Sequence, residues 1–288
     1  MSEKIIITSD STTDLSPEML RDYGIKLLHL GITLQEQTYK DGLEIDPEFI
    51  YQQYEAHGIL PKTAAPNLEQ CLDFFRPLVE DGYSVVHFTI SAEMSSTYQN
   101  CLLAGEELGN VHVVDTRNLS TGGGLLVVAA CEMVKAGEKT AAEIAQACRD
   151  LAPYVDASFV IDSLEFLHKG GRCSAVAALG ANLLKLKPCI VVRNGNMSVG
   201  KKYRGAFSAV LKKYIDDMIG DASDIDCSRI FITHAGCDDT VVAQCAEQVK
   251  AYGKFETIHI TRAGCTVSSH CGRNTLGVLF IRKHPVTE

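Results

Sequence analysis

The chain has 288 residues, of which 46% are hydrophobic and 22% are charged, and its formal net charge is −9. This size and apolar content are enough for one large globular domain or two smaller ones. The negative charge excludes a general nucleic-acid-binding or anionic-membrane surface, because both need distributed positive charge.

The start of the chain does not resemble a targeting segment. Ser2, Glu3 and Lys4 lead directly into a strand-like run, without the charged, apolar and small-residue succession of a signal peptide. The sequence also has no apolar run of about 18 residues, the length that a membrane-spanning helix requires. We therefore expect a cytoplasmic protein without integral membrane association.

The first half of the chain alternates short β-branched runs with longer helix-like segments. We predict strands at residues 4–8, 84–90 and 111–115, each followed by a polar or glycine-rich loop and then a helix. Ser16 followed by Pro17 is a typical helix start, with an N-cap and proline in the first turn. This alternation predicts a mostly parallel sheet, and ligands of such sheets bind at the carboxyl ends of the strands.

The second half, from about residue 160, has a different pattern. Asn194 and Gly195 separate two strand-like runs and predict a hairpin, because both residues tolerate positive φ. We therefore expect a second α/β domain with some antiparallel pairing. Helices are predicted at about 205–219 and 238–252. The strands predicted here are 157–162, 188–194, 197–204, 229–234, 255–260 and 275–281.

Two loops at the predicted sheet edge carry candidate chemistry. In the segment 90–98, four hydroxyl residues stand where a helix begins, an arrangement that favours an anion, although one of them could simply cap the helix. These residues are Ser91, Ser95, Ser96 and Thr97. In the segment 115–128, three successive glycines permit either a close ligand or tight helix packing. The helix over Leu125–Val134 is apolar on nearly all sides, which predicts a buried helix or a cavity wall.

Two motifs suggest nucleotide or phosphoryl chemistry but fit it poorly. Asp10 follows a strand, yet the next acid, Asp14, lies four positions later, whereas dehalogenase-type phosphotransferases place it two positions later. A β-to-α turn held by Asp10 and Ser11 is the better interpretation. Residues 195–202 nearly match a phosphate-binding loop, but Lys202 occupies the magnesium-ligand position and a hairpin explains the glycine.

The eleven cysteines are scattered singly, which is typical of small buried apolar side chains. The nearest approach to a zinc site is Cys265 with His270 and Cys271, and this spacing is poor, so we expect no metal and no cofactor. Lys169 and Arg172 flank two glycines in a cationic turn that suits a carboxylate or a phosphate, or a solvated loop.

Taken in order, these segments resemble the DegV family over about residues 4–284. Each stretch alone is weak, but their order along the chain is specific. The resemblance is carried by SDSTTDL (9–15), PKTAAPN (61–67), ISAEMSSTY (90–98), VDTRNLSTGGGL (114–125), SLEFLHKGGRCS (163–174), LKLKPCIVVRNG (184–195), KYRG (202–205) and SSHCGRNTLGVLF (268–280).

This resemblance implies a two-domain α/β fold, with a mostly parallel sheet in residues 1–160, a mixed or antiparallel sheet in residues 161–288, and a ligand cleft between them. It further implies a bacterial lipid-binding carrier rather than an enzyme, with no catalytic residues of its own. Such a carrier holds a long-chain fatty acid, such as palmitate, and presents the carboxylate to a fatty-acid kinase for phospholipid synthesis. The residues that match the lipid headgroup positions are Thr63, Ser95, Arg172 and His270.

The chain departs from the family pattern beside these positions. Alanines replace a serine and a glutamine after Thr63, Asn67 and Ser96 replace a serine and a glycine, and an Arg-Asn pair replaces Pro-Gly. The departing residues are Ala64, Ala65, Asn67, Ser96, Arg273 and Asn274. Two other functions are considered: a stand-alone small-molecule phosphotransferase that uses Asp10 or the glycine loop, and an interaction module without a ligand.

Overall fold

The structure is a computed structural model that describes residues 3–173 and 186–286, so Ser174, Leu184 and Lys185 of the family stretches lie outside the described residues. Its strands are β1 (Ile5–Asp10), β2 (Lys26–Leu28), β3 (Gly31–Leu34), β4 (Gln37–Lys40), β5 (Lys62–Ala64), β6 (Ser84–Thr89), β7 (Val111–Asp115), β8 (Val155–Ile161), β9 (Lys187–Arg193), β10 (Asn196–Tyr203), β11 (Ile225–Ala235), β12 (Thr257–Arg262) and β13 (Thr275–Arg282). Its α-helices are α1 (Pro17–Tyr23), α2 (Pro47–His57), α3 (Leu68–Glu80), α4 (Thr97–Leu108), α5 (Thr121–Ala136), α6 (Ala141–Leu151), α7 (Glu165–Gly170), α8 (Phe207–Ile219), α9 (Asp239–Ala251) and α10 (Cys265–Cys271).

Four strands form an all-parallel sheet in the order β2-β1-β6-β7. Helices α3 and α4 cover one face of this sheet and meet it in a core that includes Phe75, Val85 and Val113. The three strands predicted in the first half are confirmed, and the start of α1 is confirmed as well, since the Ser16 hydroxyl accepts a bond from the Met19 amide. The short edge strand β2 was not predicted.

The second half forms a six-stranded mixed sheet in the order β10-β9-β8-β13-β11-β12. Its pairs are antiparallel except for β11 with β12, which confirms the expected mixture. Asn194 and Gly195 form the predicted hairpin turn with φ values of 49° and 81°. Strand β8 begins at Val155 and therefore crosses the proposed domain boundary at residue 160, and the division into domains stays a prediction.

A third sheet, β4-β3-β5, was not predicted. Its strands have three or four residues each, which is too short for an alternating hydrophobic pattern to be visible in the sequence. This small antiparallel sheet carries Thr63 at the centre of β5, where Thr63 pairs with the fully buried Ile32 of β3.

Helix α5 lies between the parallel sheet and the six-stranded sheet, in contact with β1 and β6 on one side and β8 and β13 on the other. This position explains why the sequence of α5 is apolar on nearly all sides, and the side chains from Leu125 to Val128 are completely buried. Helices α8 and α9 cover the outer face of the six-stranded sheet. Across the two described ranges, no helix combines the length and the apolar character needed to cross a bilayer.

The three glycines that begin α5 serve close packing. A Cβ atom on Gly122 would lie 2.1 Å from Asn118 Oδ1, and one on Gly124 would lie 3.0 Å from the carbonyl oxygen of Thr13. Neither glycine has a positive φ, so space rather than backbone conformation requires glycine here. Of the two interpretations of this loop, the structure supports tight helix packing.

We expect Gly122→Ala to lower the free energy of unfolding by about 1–3 kcal/mol, because the added methyl group overpacks the contact with Asn118. Gly123→Ala is the matched control, since the atoms nearest to its Cβ would be those of the Thr116 side chain, at 3.3 Å. Urea denaturation measures both variants. Equal stabilities for the two would contradict the packing role of Gly122.

Candidate functional site

All four predicted headgroup residues line one cavity, next to the carboxyl ends of the parallel strands. The cavity has about 520 Å³ of empty space, its open mouth included. Thr63, Ser95, Arg172 and His270 supply its polar groups. The remaining wall is largely apolar and consists of Ala65, Ile90, Met94, Leu119, Met197, Thr266, Val267 and Cys271.

Thr63 and His270 are in direct contact although they lie 207 residues apart. Thr63 Oγ1 is 2.9 Å from His270 Nε2. In β5 the side chains of Lys62 and Ala64 are exposed while that of Thr63 is half-buried, as expected for alternating strand positions. His270 lies in the last turn of α10, which packs against β5, α2 and α7.

Of the four hydroxyl residues around the start of α4, Ser95 is the one that lines the cavity. Its Oγ accepts a bond from the Thr97 amide at 3.2 Å and lies 2.8 Å from Thr97 Oγ1. The hydroxyl of Ser91 is engaged elsewhere, because it donates to the carbonyl of Gly195 and so docks the β9–β10 hairpin. Ser96 is exposed and its side chain does not cap the helix.

Arg172 lies at the mouth of the cavity, just after α7. Its side chain is exposed, and Nη1 donates to the carbonyl of Gly170 at 2.8 Å, which holds the guanidinium beside His270. This charge would attract an anion at the cavity mouth, and guanidinium groups form strong hydrogen bonds with carboxylates and phosphates.

His270 is held as a neutral side chain. Burial, together with the smaller effect of the nearby positive charge of Arg172, lowers the pKa of His270 to about 4. Within the described residues, no group bonds its buried Nδ1 atom. At neutral pH the imidazole therefore carries a single proton.

Helix α10 is positioned by the buried carboxylate of Asp41, a residue that the sequence analysis did not select. Asp41 accepts hydrogen bonds from the amides of Cys265 and Thr266 and from the hydroxyls of Ser11 and Thr266. Asp14 accepts a further bond from the Gly264 amide at 2.7 Å. The partners of Asp41 on α10 lie more than 200 residues away in sequence, so no local motif could have indicated this role.

A second, more apolar cavity adjoins the first. It has about 380 Å³ of empty space and lies against the inner face of the six-stranded sheet, where Ala157, Phe159 and Leu279 form part of its wall. Both cavities are lined by Leu119, Val267 and Cys271. The second cavity is therefore a neighbour of the first, and none of the four predicted headgroup residues lines it.

The departures from the family pattern fall partly in the site. Ala65 lines the cavity and adds an apolar surface near Thr63. Arg273 instead fastens α2 to the end of α10: its guanidinium bonds Glu48 and Glu55 and lies 4.5 Å from the centre of the Tyr51 ring.

The structure also shows the roles of the other candidate motifs. Asp10 is completely buried, and its carboxylate accepts bonds from the amides of Thr12 and Ile90, which confirms the turn interpretation. Residues 195–202 belong to the hairpin, as expected. Ten of the eleven cysteines are buried, all but Cys227. In the parts of the chain that the structure covers, no three His, Cys, Asp or Glu side chains are arranged to hold a metal ion.

Comparison with known proteins identifies the family. A family model described as "Uncharacterised protein, DegV family" matches residues 4–283. The chain belongs to the DegV family. One relative, a DegV domain-containing protein of Clostridium acetobutylicum, is 30% identical over 284 residues, which cover 98% of this chain and all of the relative.

Solved structures of DegV proteins share the fold. A DegV family protein from Thermus thermophilus, described by its fatty-acid binding, superimposes with a TM-score of 0.87 at 27% identity and covers 97% of this chain and 99% of its own. A stearic-acid-binding protein from Eubacterium ventriosum gives a TM-score of 0.83 at 27% identity, with 97% of this chain and 98% of its own covered. The fold of this chain is therefore that of DegV proteins.

We expect the imidazole of His270 to titrate near pH 4, well below the ordinary value of about 6.5 for histidine. NMR of the ring Cε1 proton against pH measures this, with His270→Gln to assign the signal. Because the unfolded chain binds this proton more readily than the folded one, His270 lowers the stability of the fold as pH falls from about 6.5 towards 4. Titration near pH 6.5 would contradict the burial of the ring.

Proposed function

We propose that this DegV protein is a carrier that binds one long-chain fatty acid, such as palmitate. The observation that carries this proposal is a pair of adjoining cavities, one lined by the four predicted headgroup residues and the other more apolar. This polarity matches a molecule with one charged head and a long hydrocarbon tail. The fatty-acid-binding relatives from Thermus thermophilus and Eubacterium ventriosum support the same ligand class.

The polar end suits a carboxylate. An ionised carboxylate removed from water must accept hydrogen bonds, since an unpaired buried charge is prohibitively costly. The hydroxyls of Thr63 and Ser95 supply neutral donors, while Arg172 supplies a positive charge at the cavity mouth. His270 contacts Thr63 and forms the remaining side of the polar end.

The apolar part suits the tail. Burial contributes about 0.8 kcal/mol per methylene, so a palmitate tail gains on the order of 10 kcal/mol before the costs of ordering are subtracted. The first cavity and the second cavity on the other side of Leu119, Val267 and Cys271 offer apolar surface for this burial. Such a gain supports a carrier that retains its ligand through purification.

The carrier then presents the carboxylate to a fatty-acid kinase, which forms an acyl phosphate for phospholipid synthesis. The exposed Arg172 supports this role, because its guanidinium can compensate the charge that develops on the transferred phosphoryl group. In this proposal the partner supplies the nucleotide and the metal ion. Acyl-phosphate formation by a purified fatty-acid kinase, with and without the loaded carrier, is the assay for this step.

The two other functions have less support. A stand-alone phosphotransferase would need Asp10 as an accessible nucleophile, but that carboxylate is buried and engaged with Thr12 and Ile90. An interaction module without a ligand would not account for the polar residues gathered around an apolar cavity.

We expect Thr63→Ala combined with Ser95→Ala to weaken palmitate binding roughly tenfold or more without unfolding the protein, because each hydroxyl donates to a charged acceptor. Fluorescence titration of the delipidated variant measures the affinity. Ser96→Ala is the control, since its exposed side chain does not line the cavity. Unchanged affinity in the double variant would remove both hydroxyls from the site.

We expect Ala235→Leu to discriminate against long tails, because the larger side chain fills part of the second cavity. Displacing about two methylenes costs about 1.6 kcal/mol, a loss of roughly tenfold in affinity. Stearate should therefore lose affinity in this variant while decanoate serves as the control and keeps it. Equal effects on both acids would show that the tail does not enter the second cavity.

A further inference from the structure

The last residue of α7, Gly170, lies directly against the imidazole of His270. A Cβ atom placed on Gly170 would be 2.3 Å from His270 Nδ1 and 3.2 Å from Cε1, far inside van der Waals contact. The φ of Gly170 is not positive, so the backbone itself would accept any residue. Glycine is required at this position by the ring that it covers.

This close approach leaves the two ring nitrogens in different surroundings. Nδ1 faces the α7 backbone and is buried, with no hydrogen-bond partner in residues 3–173 and 186–286. Nε2 lies 2.9 Å from Thr63 Oγ1. A proton on Nδ1 would therefore be a buried donor without an acceptor, whereas a proton on Nε2 has Thr63 as its acceptor. Buried N–H groups without a partner are rare in folded proteins, so the proton belongs on Nε2.

We propose that Gly170 is a positioning residue that fixes His270 as the Nε2–H tautomer and thereby leaves the Thr63 hydroxyl hydrogen for the ligand. His270 then donates to Thr63 Oγ1, and the single hydrogen of Thr63 points to another acceptor. With the opposite tautomer, the Thr63 hydroxyl would donate to His270 and would offer a ligand only its lone pairs.

The consequence is selectivity for the ligand's head. A threonine whose hydroxyl hydrogen is free favours an ionised carboxylate, which accepts that hydrogen, over a protonated fatty amine, which has no lone pair to accept it. Arg172 donates to the carbonyl of Gly170, so this carbonyl is engaged with the guanidinium. This last step rests on the proposed fatty-acid binding, whereas the tautomer of His270 does not.

The tautomer is measured directly on the lipid-free protein. Long-range ¹H–¹⁵N correlation NMR of histidine-labelled protein separates protonated from unprotonated ring nitrogens, and His270→Gln assigns the signal. We expect wild-type His270 with the proton on Nε2 and a bare Nδ1. In Gly170→Ala we expect a displaced ring with both tautomers populated. A proton on Nδ1 in the wild type, or an unchanged tautomer in Gly170→Ala, would overturn the proposal.

A double-mutant cycle tests the link to binding. Gly170→Ala should weaken palmitate binding roughly tenfold, the effect of losing a hydrogen bond to a charged group. In a His270→Ala background, which removes the ring, the same change should have no further effect. An equal loss in both backgrounds would mean that Gly170 acts only through the fold and would overturn its role.

The outcomes stay distinguishable from those of the proposed function. If the Gly170→Ala variant does not fold, the tautomer measured in the wild-type protein still tests the proposal. Folding of the double variant Gly170→Ala/His270→Ala would then support the steric contact between Gly170 and the ring. If the wild-type protein binds no fatty acid but shows the Nε2–H tautomer, the proposed function fails while the role of Gly170 stands.

Discussion

The candidate site depends on one buried carboxylate, that of Asp41, which holds the start of α10 against the loops that follow β1 and β4. Four donors from Ser11, Cys265 and Thr266 satisfy it. Asp41 is almost completely buried, so removing its carboxylate would leave buried donors without an acceptor, and removing the donors would leave a buried carboxylate without partners. Either change would lower the stability of the fold. Helix α10 has only seven residues, which is too short to be stable by itself, so this anchor determines where His270 lies.

Around this anchor the site is assembled from segments that are distant in the chain. Thr63 comes from the small sheet, Ser95 from the loop after β6, Arg172 from the end of α7 and His270 from α10. The apolar wall comes from elements packed against α5 and the six-stranded sheet. A ligand that touches all of these segments would stabilise their arrangement in proportion to its affinity, as any ligand of the folded state does.

Much of the fold was predictable because its patterns are local. The β-branched runs of β1, β6 and β7, the Ser16 cap and the Asn194-Gly195 turn each act within a few residues, and each forms as expected. The burial of α5 between two sheets is likewise indicated by its sequence, which is apolar on nearly all sides. The small sheet was missed because its strands are too short to show a period.

The site itself was only partly predictable. The order of the family stretches selected Thr63, Ser95, Arg172 and His270, and the structure brings these four around one cavity. The residues that support the site show no local pattern in the sequence. Asp41 bonds residues more than 200 positions away, and glycine is needed at position 170 because of the His270 ring, 100 positions later. Such contacts depend on tertiary structure and are invisible to spacing or composition.

Native mass spectrometry of the protein as purified from bacteria tests the central claim most directly. The account predicts a population heavier than the bare chain by the mass of one long-chain fatty acid, which delipidation removes and added palmitate restores. A bare mass that takes up no palmitate after delipidation and readdition would contradict the proposal that this cavity carries a fatty acid.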